Sequence, residues 1–201
     1  LPSQVRGDVL RADPVTSVTV TLSVLKADTT SQYTIKYTTS AAGALAAGGG
    51  QIIIQFPTGT TVPSSMAASS ISVTTDAENK VLTVAPSIDT GTRTVTMTTP
   101  IVIANSDAIT VVFTTTAALK NPEVPQAYGT TASTRPLVVT TSVDTDDASP
   151  ASAYNIGAFV DFTPTAGAKR GETVTVTGGG MAPGTTGNIT ISNLSTILGS
   201  A

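Results

Sequence analysis

Apolar residues and hydroxyl residues alternate along most of this chain, and a period of two admits few folds. Val18, Val20, Leu22 and Val24 alternate with Thr19, Thr21 and Ser23. Tyr33, Ile35 and Tyr37 alternate with Thr34 and Lys36, and Ile52, Ile54 and Phe56 with Ile53 and Gln55. Successive side chains of a strand point to opposite faces, so each run offers one face to a core and the other to solvent. Further strand signals lie at Ile71–Val73, Val81–Val84, Val95–Met97, Ile109–Phe113, Leu137–Val143, Tyr154–Val160, Val174–Val176 and Ile189–Ile191. Gly, Pro, Asp, Asn and Ser stand between them, as turns require. Many short strands bounded by turns predict an all-β sandwich.

Composition agrees. Threonine is about a fifth of the 201 residues, and with valine it favours pleated, half-buried surfaces. Charged residues are 11% and apolar residues 40%, so there is enough to bury and little to keep the chain unfolded. The chain has no His, Cys or Trp. That removes the commonest general base, thiol nucleophiles, disulfides and Cys-rich zinc sites. The net charge of −3 gives no basic face for nucleic acid. No apolar run is long enough to span a membrane as a helix, so membrane insertion is not expected. Leu1–Leu10 mixes charge and polarity, unlike a signal peptide, and reads as the start of a mature chain.

Three regions follow. Residues 1–14, with Pro2, Gly7 and Pro14, read as an extended N-terminal arm. Residues 15–161 read as the sandwich, with the Gly- and Ala-rich stretch 41–50 as a loop and 63–70 as a helical turn or irregular crossover. Residues 162–201 read as a partial second β unit. About forty residues are too few for a sandwich, which takes roughly a hundred. Another chain, or sequence not present here, is expected to complete it.

Candidate chemistry is sparse. Asp144, Asp146 and Asp147 form the one acidic cluster. Calcium takes six to eight oxygen ligands, so this loop is the candidate calcium site, and a solvated turn is the competing reading. Asp76 and Glu78 form a weaker pair, better explained by a hairpin turn. No G-x-S-x-G elbow, P-loop lysine or aromatic sugar platform accompanies any of these, and no enzyme activity is expected. Asn188 and Asn193 begin N-x-[ST] glycosylation acceptors. The four tyrosines, Tyr33, Tyr37, Tyr128 and Tyr154, are assigned to the core or its rim.

Three segments carry a resemblance. GGGQIIIQFPTGTTVP (48–63), TTAALKNPEVPQAYGT (115–130) and TTSVDTDDASPASAYNIG (140–157) occur in that order. Together they resemble an immunoglobulin-like module of bacterial and archaeal cell-surface proteins, S-layer-like and adhesin-like repeats among them. The likeness rests on a strand ending in Phe-Pro-x-Gly-Thr-x-x-Pro and on a later Lys-Asn-Pro loop. It departs at Ala117-Ala118, where glycine is common in such modules, and at 131–136, which looks inserted. Pro164, Gly167, Gly171, the run Thr173 to Val176, Gly178 and Gly180 resemble the opening of an IPT/TIG-like immunoglobulin fold. These resemblances imply a secreted, extracellular, cell-surface location and a structural role.

The expected function is a structural subunit of a cell-surface filament or lattice, polymerising with itself by β-strand exchange. Val5, Val9 and Leu10 in the arm, and Ile189, Ile191, Leu194, Ile197 and Leu198 near the end, are the candidate assembly residues. An adhesin or ligand-binding module of a larger surface protein is the alternative, with other surface proteins or glycans as partners. No cofactor is expected beyond calcium.

Overall fold

A computed structural model describes residues 13–163 and 175–179. The fold is all-β and is built as a sandwich. In chain order the strands are β1 (Thr16–Leu22), β2 (Tyr33–Thr38), β3 (Gln51–Gln55), β4 (Ile71–Thr74), β5 (Asn79–Val81), β6 (Ser87–Asp89), β7 (Thr94–Thr98), β8 (Ala108–Phe113), β9 (Ala127–Tyr128), β10 (Val138–Thr141), β11 (Tyr154–Asn155), β12 (Phe159–Thr163) and β13 (Thr175–Gly179). One sheet has the order β1-β2-β8-β4-β5 and the other β10-β3-β7-β6. Two smaller pairs, β9 with β11 and β12 with β13, complete the described strands. Every ladder is antiparallel.

The alternation predicted from sequence is what aligns the core. Leu22, Tyr33, Phe113 and Ile71 share one cross-strand row, and Val20, Ile35, Val111 and Val73 the next. On the facing sheet the rows are Val139, Ile54, Val95, Ile88 and, beside it, Thr141, Ile52, Met97. All of these are buried except Val20 and Ile88, which pack against the core while partly exposed. Each fully buried aliphatic side chain contributes about 1.5–3 kcal/mol, and a one-residue slip would turn a whole row to water. The intervening positions make the outer face, such as the row Thr19, Lys36, Thr110, Thr74, Asn79.

Edge strand β1 is interrupted. Its register shifts between Thr16 and Thr19, and Ser17 has a left-handed φ of 54°. This bulge sets an extra residue opposite β2, and bulges of this kind blunt sheet edges.

Several expectations need adjustment. The run Val81–Val84 is a strand only as far as Val81. The chain then crosses between sheets, with Leu82 plugged into the core and Val84 61% exposed. Strand β6 carries a single large apolar residue, Ile88, and so gave no alternating signal. Stretch 63–70 ends in one 3₁₀ turn, Ala68–Ser70. The run Tyr154–Val160 is split at Gly157, which bridges to Lys26. Strand β12 begins at Phe159 and so straddles the expected boundary at 161/162. The assembly residues Val5, Val9, Leu10, Ile189, Ile191, Leu194, Ile197 and Leu198, and the acceptors Asn188 and Asn193, lie outside the described residues.

Candidate functional site

The long strands run between two ends of the sandwich, and each end is closed by one sequence motif. At the first end, near Tyr33 and Phe113, the Phe-Pro-x-Gly-Thr segment packs on the Lys-Asn-Pro loop. Phe56 meets Tyr33 and Phe113 edge-to-face, with ring centroids 5.5 and 5.4 Å apart. Thr61 and Lys120 exchange two backbone hydrogen bonds, each 3.1 Å. Gly59 has φ +95°, and a Cβ there would lie 3.3 Å from the Pro122 ring. The glycine is therefore needed both for its left-handed turn and for this close approach.

Asn121 is the centre of this end. It is fully buried. Its Nδ2 donates to the carbonyls of Val24 and Lys26, each at 2.8 Å. Its Oδ1 accepts from the Tyr33 hydroxyl at 2.8 Å, and its backbone N–H donates to Thr29 at 2.9 Å. One amide thus ties the 24–29 loop to the aromatic core. Beside it, Lys120 pairs with Asp28 at 2.8 Å, both half-exposed, a pair worth little in water. Tyr128 stacks on Tyr154 at 6.1 Å and donates to the Val124 carbonyl at 2.7 Å.

At the opposite end the centre is Asp144, which is buried. Its Oδ1 accepts from Ser40 Oγ at 2.6 Å and its Oδ2 from Ser40 N–H at 3.0 Å. Thr141 and Asp144 close a turn through a backbone bond of 2.8 Å, and the Asp144 N–H donates to Thr141 Oγ1, also at 2.8 Å. A Cβ on Gly43 would sit 2.3 Å from Asp144 Oδ2, so only glycine lets the 41–50 loop pass. That loop is further pinned by the Leu45–Ile103 bridge, with bonds of 2.9 and 3.0 Å.

The three aspartates of the candidate calcium loop stand in different surroundings. Both Asp144 oxygens face Ser40 inside the fold, Asp146 is half-buried and Asp147 is exposed. Among the described residues no three acidic side chains converge. Asp76 and Glu78 occupy the β4–β5 hairpin, where Thr75 Oγ1 accepts from the N–H groups of Ala77 and Glu78 and Glu78 pairs with Lys80. Asp89 ends β6 at an exposed turn, where hydrogen bonds from Thr92 and Gly91 hold its carboxyl below the ordinary range.

All four tyrosines are buried. Burial pushes the phenols of Tyr33, Tyr37 and Tyr154 well above the ordinary range; the charge of Asp144 adds to this at Tyr37, and the neighbouring tyrosines add to it at Tyr154. Thr60, beside Tyr33, acts against that rise, yet its Oγ1 has no partner of sound geometry. The hydroxyls of Tyr37 and Tyr154 are likewise buried without a partner among the described residues.

Sequence reasoning placed the Lys-Asn-Pro loop but missed what Asn121 does. The available signal was the Lys-Asn-Pro motif itself, with an amide between Lys120 and Pro122. No family model, curated protein or solved structure matches this chain. The amides, hydroxyls and rings gathered at the two ends mostly satisfy one another, and the arrangement fixes loops to a core.

Proposed function

We propose that this chain is a structural subunit of an extracellular cell-surface filament or lattice, with subunits joined end to end. The observation that carries the reading is the course of the backbone. The chain enters the sandwich beside Thr38, at the Asp144 end, because Thr16 pairs with Thr38. It leaves at the Asn121 end, because Gly157 is bonded to Leu25 and Ala27 at 2.8 and 3.0 Å. Flanking segments therefore emerge from opposite ends, as a module strung in line requires.

Strand exchange supplies the join in this reading. Ser23 N–H donates to the Gln32 carbonyl, in step with the β1–β2 ladder. Alternation then turns the backbone groups of Val20 and Leu22 outward. In the two main sheets β1 is thus the longest edge strand left open among the described residues, since β10 is covered by Ala148 and both β5 and β6 have three residues. An added strand would gain backbone bonds along this edge and seat alternate side chains. Four or five aliphatic side chains would each contribute about 1.5–3 kcal/mol before ordering entropy is subtracted.

The test is deletion of residues 1–14 or 188–201, followed by sedimentation and electron microscopy. The expected result is loss of polymers with a folded monomer retained. Polymers unchanged after both deletions would refute strand exchange. The alternative is an adhesin or ligand-binding module of a larger surface protein; burial of all four tyrosines leaves it no tyrosine platform for a sugar ring.

A further inference from the structure

We infer that the sandwich bears mechanical load, and that tension applied through its flanking segments is resisted in shear. The inference rests on the structural reading for the source of the load. Its physical basis is the direction of the terminal segments relative to the line between the two ends.

Strand β1 runs from the entering end toward the Asn121 end, paired with β2 at Thr16 and, past the bulge, from Thr19 to Leu22. Pulling on the segment before Asp13 draws β1 backward along its own axis. The bonds of an antiparallel ladder lie perpendicular to the strands, so they are loaded side by side and must yield together. Val18 and Leu22, inward and buried on the same strand, would have to slide out with it.

The leaving segment has the same relation to the pull. After Asp144 the chain returns along β10, where Val139 and Ala148 exchange bonds of 2.8 and 3.3 Å. It then passes β9, with Tyr154 opposite Tyr128 and Asn155 opposite Ala127. Finally Gly157 forms a parallel bridge to Lys26. Parallel segments pulled from opposite ends slide past each other instead of unzipping. Asn121 reinforces this point, because it holds the Val24 and Lys26 carbonyls on either side of Leu25. The leaving segment is therefore clamped where its load would arrive.

Pulling across the sheet offers a contrast within one molecule. Thr19 and Asn79 lie in the same cross-strand row, on opposite edges of the five-stranded sheet, and both are exposed. Force applied there runs along the hydrogen bonds and peels the edge strands one bond at a time.

The chain has no cysteine, so introduced pairs give unique handles on the full chain. Single-molecule force spectroscopy would compare Asp13→Cys/Ala158→Cys, pulled end to end, with Thr19→Cys/Asn79→Cys, pulled across the sheet. The expected rupture force is at least twofold higher end to end at equal loading rate. Equal or lower force end to end would overturn the inference. Adding Gly157→Pro removes the N–H that bonds Leu25. It should lower the end-to-end force while leaving the cross-sheet force unchanged. An equal drop on both axes would show general destabilisation and count against a clamp. These measurements use single molecules, so failure to polymerise would leave their outcome intact.

Discussion

The Tyr33 hydroxyl and the Asn121 side-chain oxygen lie 2.8 Å apart although the residues are 88 positions apart in sequence. This bond joins the inner row of one sheet to a loop on the far side of the chain. Asn121→Ala would remove a donor to the Val24 and Lys26 carbonyls and the acceptor of the buried Tyr33 hydroxyl, although Val24 keeps a bond from Ser31 Oγ at 3.2 Å. Each unsatisfied group costs about 1–3 kcal/mol. Urea denaturation should show a loss of about 3 kcal/mol or more. In a double-mutant cycle with Tyr33→Phe, the two losses should be less than additive.

The tyrosines should divide when changed to phenylalanine. Tyr33→Phe removes a made hydrogen bond and should cost about 1 kcal/mol. Tyr154→Phe removes a buried hydroxyl that has no partner among the described residues, and should be neutral or stabilising. Thermal midpoints of the two variants check this, and the opposite ranking would show that the hydrogen-bond assignment is wrong.

How much of this could be read in the sequence differs between the sheets and the ends. The strands around Ile35, Ile54, Val95 and Val111 were legible because burial of one face imposes a period of two. Strand β6 and the pairs at Tyr128 and Tyr154 were not, since two or three residues hold too little alternation. Asp144 was visible as a carboxylate, but its partner Ser40 is 104 positions away, and no local pattern reveals such a contact.

Ala118 ends the 3₁₀ turn Thr115–Ala117 with φ 56° and is exposed. A left-handed conformation costs a residue bearing Cβ about 1–2 kcal/mol, offset in part by the greater freedom of glycine when unfolded. Ala118→Gly should therefore raise stability by up to about 1 kcal/mol in chemical denaturation. A clear loss would contradict the strain assigned to that position.

Asp144 should act through Ser40 and not through calcium. Asp144→Ala removes two short bonds to a buried carboxylate, each worth about 1.5–3 kcal/mol. The fall in thermal midpoint should be the same in calcium and in chelator. Gly43→Ala should also destabilise, because its Cβ would overlap Asp144 Oδ2. A calcium-dependent difference for Asp144→Ala would instead show that the loop binds the metal.

Alkaline pH should unfold the protein through its tyrosines. Tyr33, Tyr37 and Tyr154 have folded pKa values raised above the ordinary value of 10.0. Their contribution is fully present below pH about 10 and is lost as pH rises above it, because only the unfolded chain ionises there. The phenolate absorbance of these three tyrosines should appear together with loss of β structure, and not before it.

The end-to-end arrangement of subunits is tested most directly by site-specific cross-linking of assembled protein. Asp13 and Ala158 mark the two ends, and both are exposed. A head-to-tail join is heterologous, so it brings unlike ends together and can repeat. With a short bismaleimide, the double variant Asp13→Cys/Ala158→Cys should give a ladder of dimers, trimers and higher species, while each single variant remains monomeric. Single variants that dimerise as readily as the double variant, or a double variant that gives no ladder, would contradict the account.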